Sequence, residues 1–269
     1  MSKIILVTGS TDGIGLETAK ALRAKGHTIL LHGRNSSKIE AARQALLAID
    51  ADGEVECYQA DFSRPGDVAR LAGEIRSTHS KLDVLINNAG VLRTGNDLTD
   101  EGLDVRFAVN LLAPQILTEG LRPLMDASGR VVNLSSAAQA PVNLDALKGK
   151  VHLSPMEAYA QSKLALTMWS RHLAEQFGAE GPVVVAVNPG SLLASKMVKE
   201  GFGVAGNDLS IGVDILLRAA LSEEFSNASG RYFDNDSGRF SDPHADGLDK
   251  AKVAALVQVM NMLSKDDRT

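Results

Sequence analysis

The chain has 269 residues, a length normal for one α/β domain, and 44% of them are apolar, which sets it apart from disordered chains. Its formal charge of −5, with no block of basic residues, excludes a typical nucleic-acid binder, and no run approaches the roughly 18 apolar residues that span a bilayer. Lys3 leads straight into an apolar run with no signal peptide, so a cytoplasmic protein is expected; the single cysteine, Cys57, rules out an internal disulfide and reads as a small core residue, and no metal site is read.

In chain order, Lys3–Thr8 is a short apolar run, as expected of a strand buried on both faces. It enters T-G-S-T-D-G-I-G (Thr8–Gly15), then a helix over Leu16–Lys25 ending at Gly26, then a strand over Thr28–His32. Strand, glycine turn, helix and strand make a βαβ unit. Within it Gly9 permits the tight turn, Gly13 lets the backbone approach a pyrophosphate, and Gly15 lets helix and strand pack. The N–H groups of the helix N-terminus would face the phosphates.

The alternation continues. Helices are expected over Ser37–Ile49 and Asp67–Thr78, with a strand over Glu54–Ala60 ending at Asp61. The strand Leu82–Ile86 ends in N-N-A-G (Asn87–Gly90). A long helical pattern, Glu101–Met125, contains Asn110 and is expected to kink at Pro114. The strand Arg130–Leu134 ends in Ser135–Ser136. A helix begins at Pro155, capped by Ser154, and runs to about Phe177. A strand over Pro182–Val187 ends in N-P-G (Asn188–Gly190). Asp208–Leu221 reads as helix, Gly230–Phe233 as a last short strand, Asp234–Asp246 as a polar stretch and Lys250–Leu263 as a final amphipathic helix. Such alternation means a parallel sheet covered on both faces, and every distinctive motif follows a strand, where open parallel sheets bind ligands. Nothing marks a second domain, so residues 1–269 read as one.

Tyr159 and Lys163 lie four apart on the Pro155 helix and share a face. A nearby ammonium favours the phenolate and would lower the tyrosine pKa, so the phenol could exchange a proton with a carbonyl or alcohol oxygen. The bland alternative is an exposed pair of little consequence.

T-G-S-T-D-G-I-G, N-N-A-G, the helical Asn110, the S-S pair, Y-A-Q-S-K and N-P-G stand in the order found in the short-chain dehydrogenase/reductase family, which the chain resembles from Lys3 to about Phe233. The resemblance implies a single-domain, doubly wound Rossmann sheet of about seven strands and hydride transfer with NAD(H) or NADP(H). By the same resemblance Tyr159 is the general acid/base, and Lys163 tunes it and holds the nicotinamide ribose. Ser136, in preference to Ser135, would bond the substrate oxygen, and the helix backbone at Asn110 would help hold a relay water. The cofactor would lie on Gly9, Ser10, Thr11, Gly13, Ile14, Gly15, Arg34, Asp61, Phe62, Asn88, Ala89, Gly90, Pro189 and Gly190 with Tyr159 and Lys163, and Asn87 would line the adenine-ribose side. Asp61 could equally cap the turn that follows it. A homodimer or homotetramer is implied, with Trp169 and Met168 at the contact.

The second strand ends L-L-H-G-R-N. Gly33 occupies the place of the acidic residue that NAD enzymes use on the ribose 2′-hydroxyl, and Arg34 and Lys38 bring positive charge, so NADP(H) is favoured over NAD(H). Asp12, where some NADP-preferring relatives are basic, counts against it. An insert of about ten residues over compact family members, Pro141–Leu153, looks most like the retinol-dehydrogenase-like branch and hints at apolar alcohols and aldehydes. Ser191–Asn207, with Met197, Val198 and Phe202, reads as a substrate lid, and Ser195 as a stand-in for the family's carboxamide-binding threonine. The apolar residues of insert and lid either line a pocket or are packed core or subunit contact. The competing reading is a catalytically silent redox sensor on the same fold; retention of both Tyr159 and Lys163 argues against it.

Overall fold

The computed structural model describes residues 2–194 and 206–264. One sheet organises them, with strands β1 (Ile4–Val7), β2 (Thr28–Gly33), β3 (Val55–Gln59), β4 (Val84–Asn87), β5 (Arg130–Leu134), β6 (Val183–Asn188), β7 (Tyr232–Asp234) and β8 (Arg239–Ser241). Their order is β3-β2-β1-β4-β5-β6-β7-β8. The first seven run parallel, and β8 folds back antiparallel on β7, pairing Phe233 with Phe240. The expected architecture is present, with one strand more than anticipated: β8 falls in the stretch read as merely polar. It follows the turn Asn235–Gly238 and escapes notice because three residues with one aromatic give little alternation to read.

Side-chain alternation builds a core on each face. Leu6, Leu30, Leu85, Val131 and Val184 face one core. There they meet helices α3 (Pro65–Thr78), α4 (Val105–Phe107), α5 (Ala113–Leu121), α6 (Leu144–Leu147) and α7 (Pro155–Phe177). Ile5, Val7, Ile29, Ile86, Val132 and Val185 face the other, under α1 (Gly13–Arg23), α2 (Ser36–Leu47) and α8 (Leu209–Leu221). The closing helix α9 (Lys250–Leu263) adds Leu256, Val257, Val259 and Met260 to the first core. None of the described helices is long and apolar enough to cross a membrane.

Four expectations change here. Trp169 and Met168 are buried in the chain's own core, packed in the cluster that contains α9, so a subunit contact is not open to them. Cys57 is exposed on the edge strand β3 rather than buried, because the edge leaves one side of that strand uncovered. In the insert, Ala146 and Leu147 are buried, and Val142, Leu144 and Leu153 pack against the same core, so these side chains support the fold. The long helix around Asn110 is broken into three pieces. Between α4 and α5 lies a π-helical turn, Ala108–Leu112, in which the Ala113 N–H reaches back to the Ala108 carbonyl. Pro114 has no N–H and cannot serve the Asn110 carbonyl four residues before it, so the wider turn is where the ladder gives way.

Candidate active site

β1 and β4 are neighbours although β2 and β3 lie on the far side of β1; the chain reverses its direction of winding between them. Such a switch point leaves a crevice at the carboxyl ends of the strands. A cleft of about 400 Å³ lies there. Of the residues expected to bind cofactor, Gly9, Thr11, Gly13, Ile14, Gly15, Arg34, Asp61, Phe62, Asn88, Ala89, Gly90, Tyr159, Lys163 and Pro189 line it. Ser10 and Gly190 do not. The Ser10 hydroxyl is buried, accepting from the His32 N–H at 3.0 Å, which ties the glycine loop to β2. Gly190 sits at φ +123° beside Ile211 and Leu193. Asn87 is also turned away: its side chain donates to Thr118 and Asn133 beneath the strand ends.

The glycine loop is held by its neighbours. Thr8 Oγ1 accepts from the Asn88 and Ala89 N–H groups, each at 3.0 Å. Asn88 Nδ2 donates to the carbonyls of Thr8 at 2.8 Å and Gly9 at 3.1 Å. A Cβ on Gly15 would lie 2.3 Å from that Asn88 amide and 2.4 Å from the Gly9 oxygen, so glycine is required at that position. Asp12 caps α1, accepting from the Gly13 N–H at 2.8 Å, and its carboxylate lies 3.5 Å from Lys38 Nζ. Lys38 thereby offsets the acidic residue that stood against an NADP reading. Arg34 is exposed on the cleft wall, with no ion pair among the described residues. Asp61 does both things considered for it: it lines the cleft, and its Oδ1 accepts from Ser63 to cap the next turn. The open cradle of glycines, the helix N-terminus and the basic corner fit a dinucleotide.

The acid/base candidates come from α7 and β5. α7 begins as expected at Pro155, and Ser154 with Glu157 forms a reciprocal capping box. Lys163 is buried, and its Nζ donates to the Leu134 carbonyl at 2.7 Å. A Cβ on Gly90 would stand 3.4 Å from both Lys163 Nζ and Asn110 Oδ1, so the N-N-A-G loop passes close over the pair. Burial pushes the Lys163 ammonium down to about 8. Tyr159 is half-buried, and the protein packed around its phenol pushes its pKa up, with a hydrogen bond to Ser136 acting in the other direction. The lowering by Lys163 expected from spacing does not dominate. The ammonium lies 5.6 Å from the Tyr159 ring centroid and is not among the causes of the shift, which burial sets.

The two serines after β5 are distinguished by their partners. Ser135 is buried, bonded to Thr167 Oγ1 at 2.6 Å and donating to the Lys163 carbonyl at 3.2 Å. Ser135 lines the cleft and Ser136 does not; the Ser136 hydroxyl accepts from the Ala138 N–H at 3.1 Å and lies near enough to the Tyr159 phenol to lower its pKa, while the Tyr232 hydroxyl and the Gln139 amide hold its carbonyl. Asn110 is buried: Oδ1 accepts from the Val91 N–H at 2.8 Å, and Nδ2 donates to the Val91 carbonyl and to Ser162 Oγ, both at 3.0 Å. Its side chain thus fastens the N-N-A-G loop to α7.

Sequence reading assigned no role to His32, Val91, Leu92, Arg93 or Val109, which also line the cleft. Their only signal was position just after a strand or inside the broken helix. Met197, Val198, Phe202 and Ser195 lie outside the described residues. Among the described residues on either side of them, Leu193 pairs with Asn207, and Leu192 adopts φ +52°.

The family model for short chain dehydrogenase matches residues 3–202. Retinol dehydrogenase 13 from Homo sapiens is 29% identical over 271 residues, covering 93% of this chain and 81% of that protein. A crystal structure of an uncharacterized protein from Mycobacterium paratuberculosis aligns with a TM-score of 0.80 at 28% identity, covering 98% of this chain and 93% of the other. A short chain dehydrogenase from Burkholderia cenocepacia in complex with NADP aligns with a TM-score of 0.68 at 26% identity, covering 88% and 97%. With the switch-point cleft and the Tyr159–Lys163 helix in place, these matches mean that the chain belongs to the short-chain dehydrogenase/reductase family, in its retinol-dehydrogenase-like branch, and is an NAD(P)-dependent dehydrogenase acting on CH–OH groups.

Proposed function

We propose that the enzyme interconverts an alcohol and its carbonyl on a small to medium, partly apolar substrate, with NADP(H) preferred to NAD(H). The observation that carries this reading is the placement of Tyr159 in the cleft beside buried Lys163, with Ser136 near enough to act on the phenol. When bound, the dinucleotide supplies or takes the hydride. Tyr159 donates a proton to the substrate oxygen in reduction and takes it back in oxidation. Ser136 donates a hydrogen bond to the same oxygen as negative charge grows there. Lys163, fixed by the Leu134 carbonyl, offers a cation beside the ring and steadies the phenolate form. Asn110 holds the loop that roofs the pair. Val91, Leu92 and Val109 give the cleft an apolar stretch, which agrees with a substrate of the kind named in the retinol dehydrogenase relative. Gly33 and Arg34 support the NADP preference, since one omits the repelling carboxylate and the other adds a guanidinium.

Tyr159→Phe tests the assignment. The variant should bind NADPH within about twofold of the parent and lose turnover by at least about a hundredfold, the usual scale of a lost general acid. Turnover near the parent level on an aldehyde and ketone panel would remove Tyr159 from the role.

A further inference from the structure

His32 is the last residue but one of β2 and is buried beside the cleft, and nothing in the proposed chemistry uses it. Its ring touches all three strand ends on one side of the switch point. Nδ1 lies 3.1 Å from the Gly9 N–H on the loop after β1. Nε2 lies 3.2 Å from the Ala60 carbonyl after β3. The ring stacks on Phe62, with centroids 4.2 Å apart and planes 24° from parallel. Its own backbone N–H donates to Ser10.

These partners fix the tautomer. A backbone N–H can only donate and a carbonyl can only accept, so Nδ1 carries the lone pair and Nε2 the proton. The neutral ring alone satisfies both; an imidazolium would set one N–H against another. Burial favours the same neutral form. Gly9 and Phe62 both line the cleft, and the imidazole touches both.

We propose that His32 is a positioning residue for the dinucleotide: its Nδ1 lone pair holds the Gly9 N–H, and with it the glycine loop, at the spacing from the Phe62 wall that the cofactor requires. The inference rests on the cleft being the dinucleotide site. A residue serving as mere core filler would show no preference between its two nitrogens.

That preference is what the experiment reads. In His32→Asn the amide oxygen stands where Nδ1 stood and can accept from Gly9. In His32→Gln the amide nitrogen stands where Nε2 stood and can donate to Ala60. Both lose the stacked ring. NADPH and NADH affinities are measured by fluorescence titration for the parent and both variants, with melting temperature and kcat at saturating cofactor alongside. His32→Gln should weaken the preferred cofactor about tenfold, the scale of one lost buried hydrogen bond, with kcat within about twofold. His32→Asn should stay within about threefold of the parent, although both melt lower. Equal weakening in the two variants, or none in either, overturns the assignment. Binding absent from the parent as well would overturn the reading of the cleft together with it. Should His32→Gln fail to fold, imidazole nitrogen shifts of the parent decide: an Nε2–H tautomer is expected, with and without NADPH, and an Nδ1–H tautomer refutes the proposal.

Discussion

Gly33 invites the obvious experiment of converting cofactor preference with Gly33→Asp, and the geometry says that this change alone will fail. A carboxylate there could accept from a ribose 2′-hydroxyl and would repel a 2′-phosphate. Before it can do either, the new Cβ must fit. It would lie 2.6 Å from Thr11 Cγ2, 3.2 Å from Ile39 Cγ1 and 3.3 Å from Thr11 Oγ1. The methyl contact is about 1 Å inside ordinary van der Waals separation. Overpacking of this kind costs about 1–3 kcal/mol, or about 5-fold to 150-fold in affinity if it falls on the bound geometry. A charge-assisted hydrogen bond to the ribose returns about 1.5–3 kcal/mol. The two nearly cancel, so Gly33→Asp should weaken NADPH strongly and gain little for NADH. Thr11→Ser removes the offending methyl and leaves the hydroxyl. The double variant should therefore bind NADH at least about fivefold more tightly than Gly33→Asp alone, with NADPH weak in both. Fluorescence titration of both cofactors across the parent, the two single variants and the double variant completes the cycle, and melting temperatures report the strain. If Gly33→Asp alone binds NADH as tightly as the double variant, the Thr11 methyl does not control the position and the steric argument is wrong.

Two further outcomes follow from the same corner of the fold. Arg34→Ala should weaken NADPH about tenfold or more while leaving NADH within about twofold, since only the 2′-phosphate needs the guanidinium; equal loss of both cofactors would deny Arg34 that role. His32 should make stability depend on pH. Burial lowers its pKa from 6.5 to about 4, with the Ala60 hydrogen bond and the Asp61 charge opposing. The unfolded chain therefore takes up this proton before the folded one, so the stabilisation is present above about 6.5 and is lost as pH falls toward 4. The span is about 3 kcal/mol. Denaturant unfolding at pH 7 and pH 4.5 should show the parent losing more stability than His32→Asn, and identical losses would contradict a buried neutral imidazole.

Much of this site could be read from residue order because its parts announce themselves locally. Gly9, Gly13 and Gly15 sit between a strand and a helix, and Ser154-Pro155 with Glu157 marks where α7 begins. Strands buried on both faces write themselves as apolar runs, which made β1, β4, β5 and β6 legible. What escaped was long-range. Nothing near His32 in sequence shows that Gly9 and Ala60 will meet its two nitrogens. Asn87 and Asn88 are adjacent, yet one faces the cleft and the other the core, because the strand ends between them. Spacing put Tyr159 and Lys163 on one face of α7, but the direction of the tyrosine shift depends on how much protein surrounds the phenol, and burial has no local signature. Trp169 and Met168 were misread for a related reason: the helix that covers them, α9, arrives about ninety residues later in the chain.

The inward face of α7 is tied by side-chain hydrogen bonds to the elements beside the cleft. Ser162 bonds Asn110 at 3.0 Å, Lys163 bonds the Leu134 carbonyl at 2.7 Å, Thr167 bonds Ser135 at 2.6 Å, and Ser170 bonds Asn133 at 2.8 Å. Taken one at a time, such buried bonds add only about 1 kcal/mol over their hydrated counterparts, so an apolar seam could have matched them in stability. It could not have matched them in register. Apolar side chains slide over one another at little cost, whereas moving α7 by one turn would leave all four of these sites unsatisfied. At about 1–3 kcal/mol for each buried polar group stranded, the slid arrangement lies about 4–12 kcal/mol higher, comparable to the whole stability of a domain. One of these bonds joins α7 to the β5 side chain Asn133, one to Ser135 just after the strand and one to the Leu134 carbonyl, so the helix is keyed to the strand that Ser136 follows. The polar seam therefore fixes the register of α7, and with it the position of Tyr159 and Lys163 at the cleft, and the apolar core around it is what keeps the seam dry enough to matter.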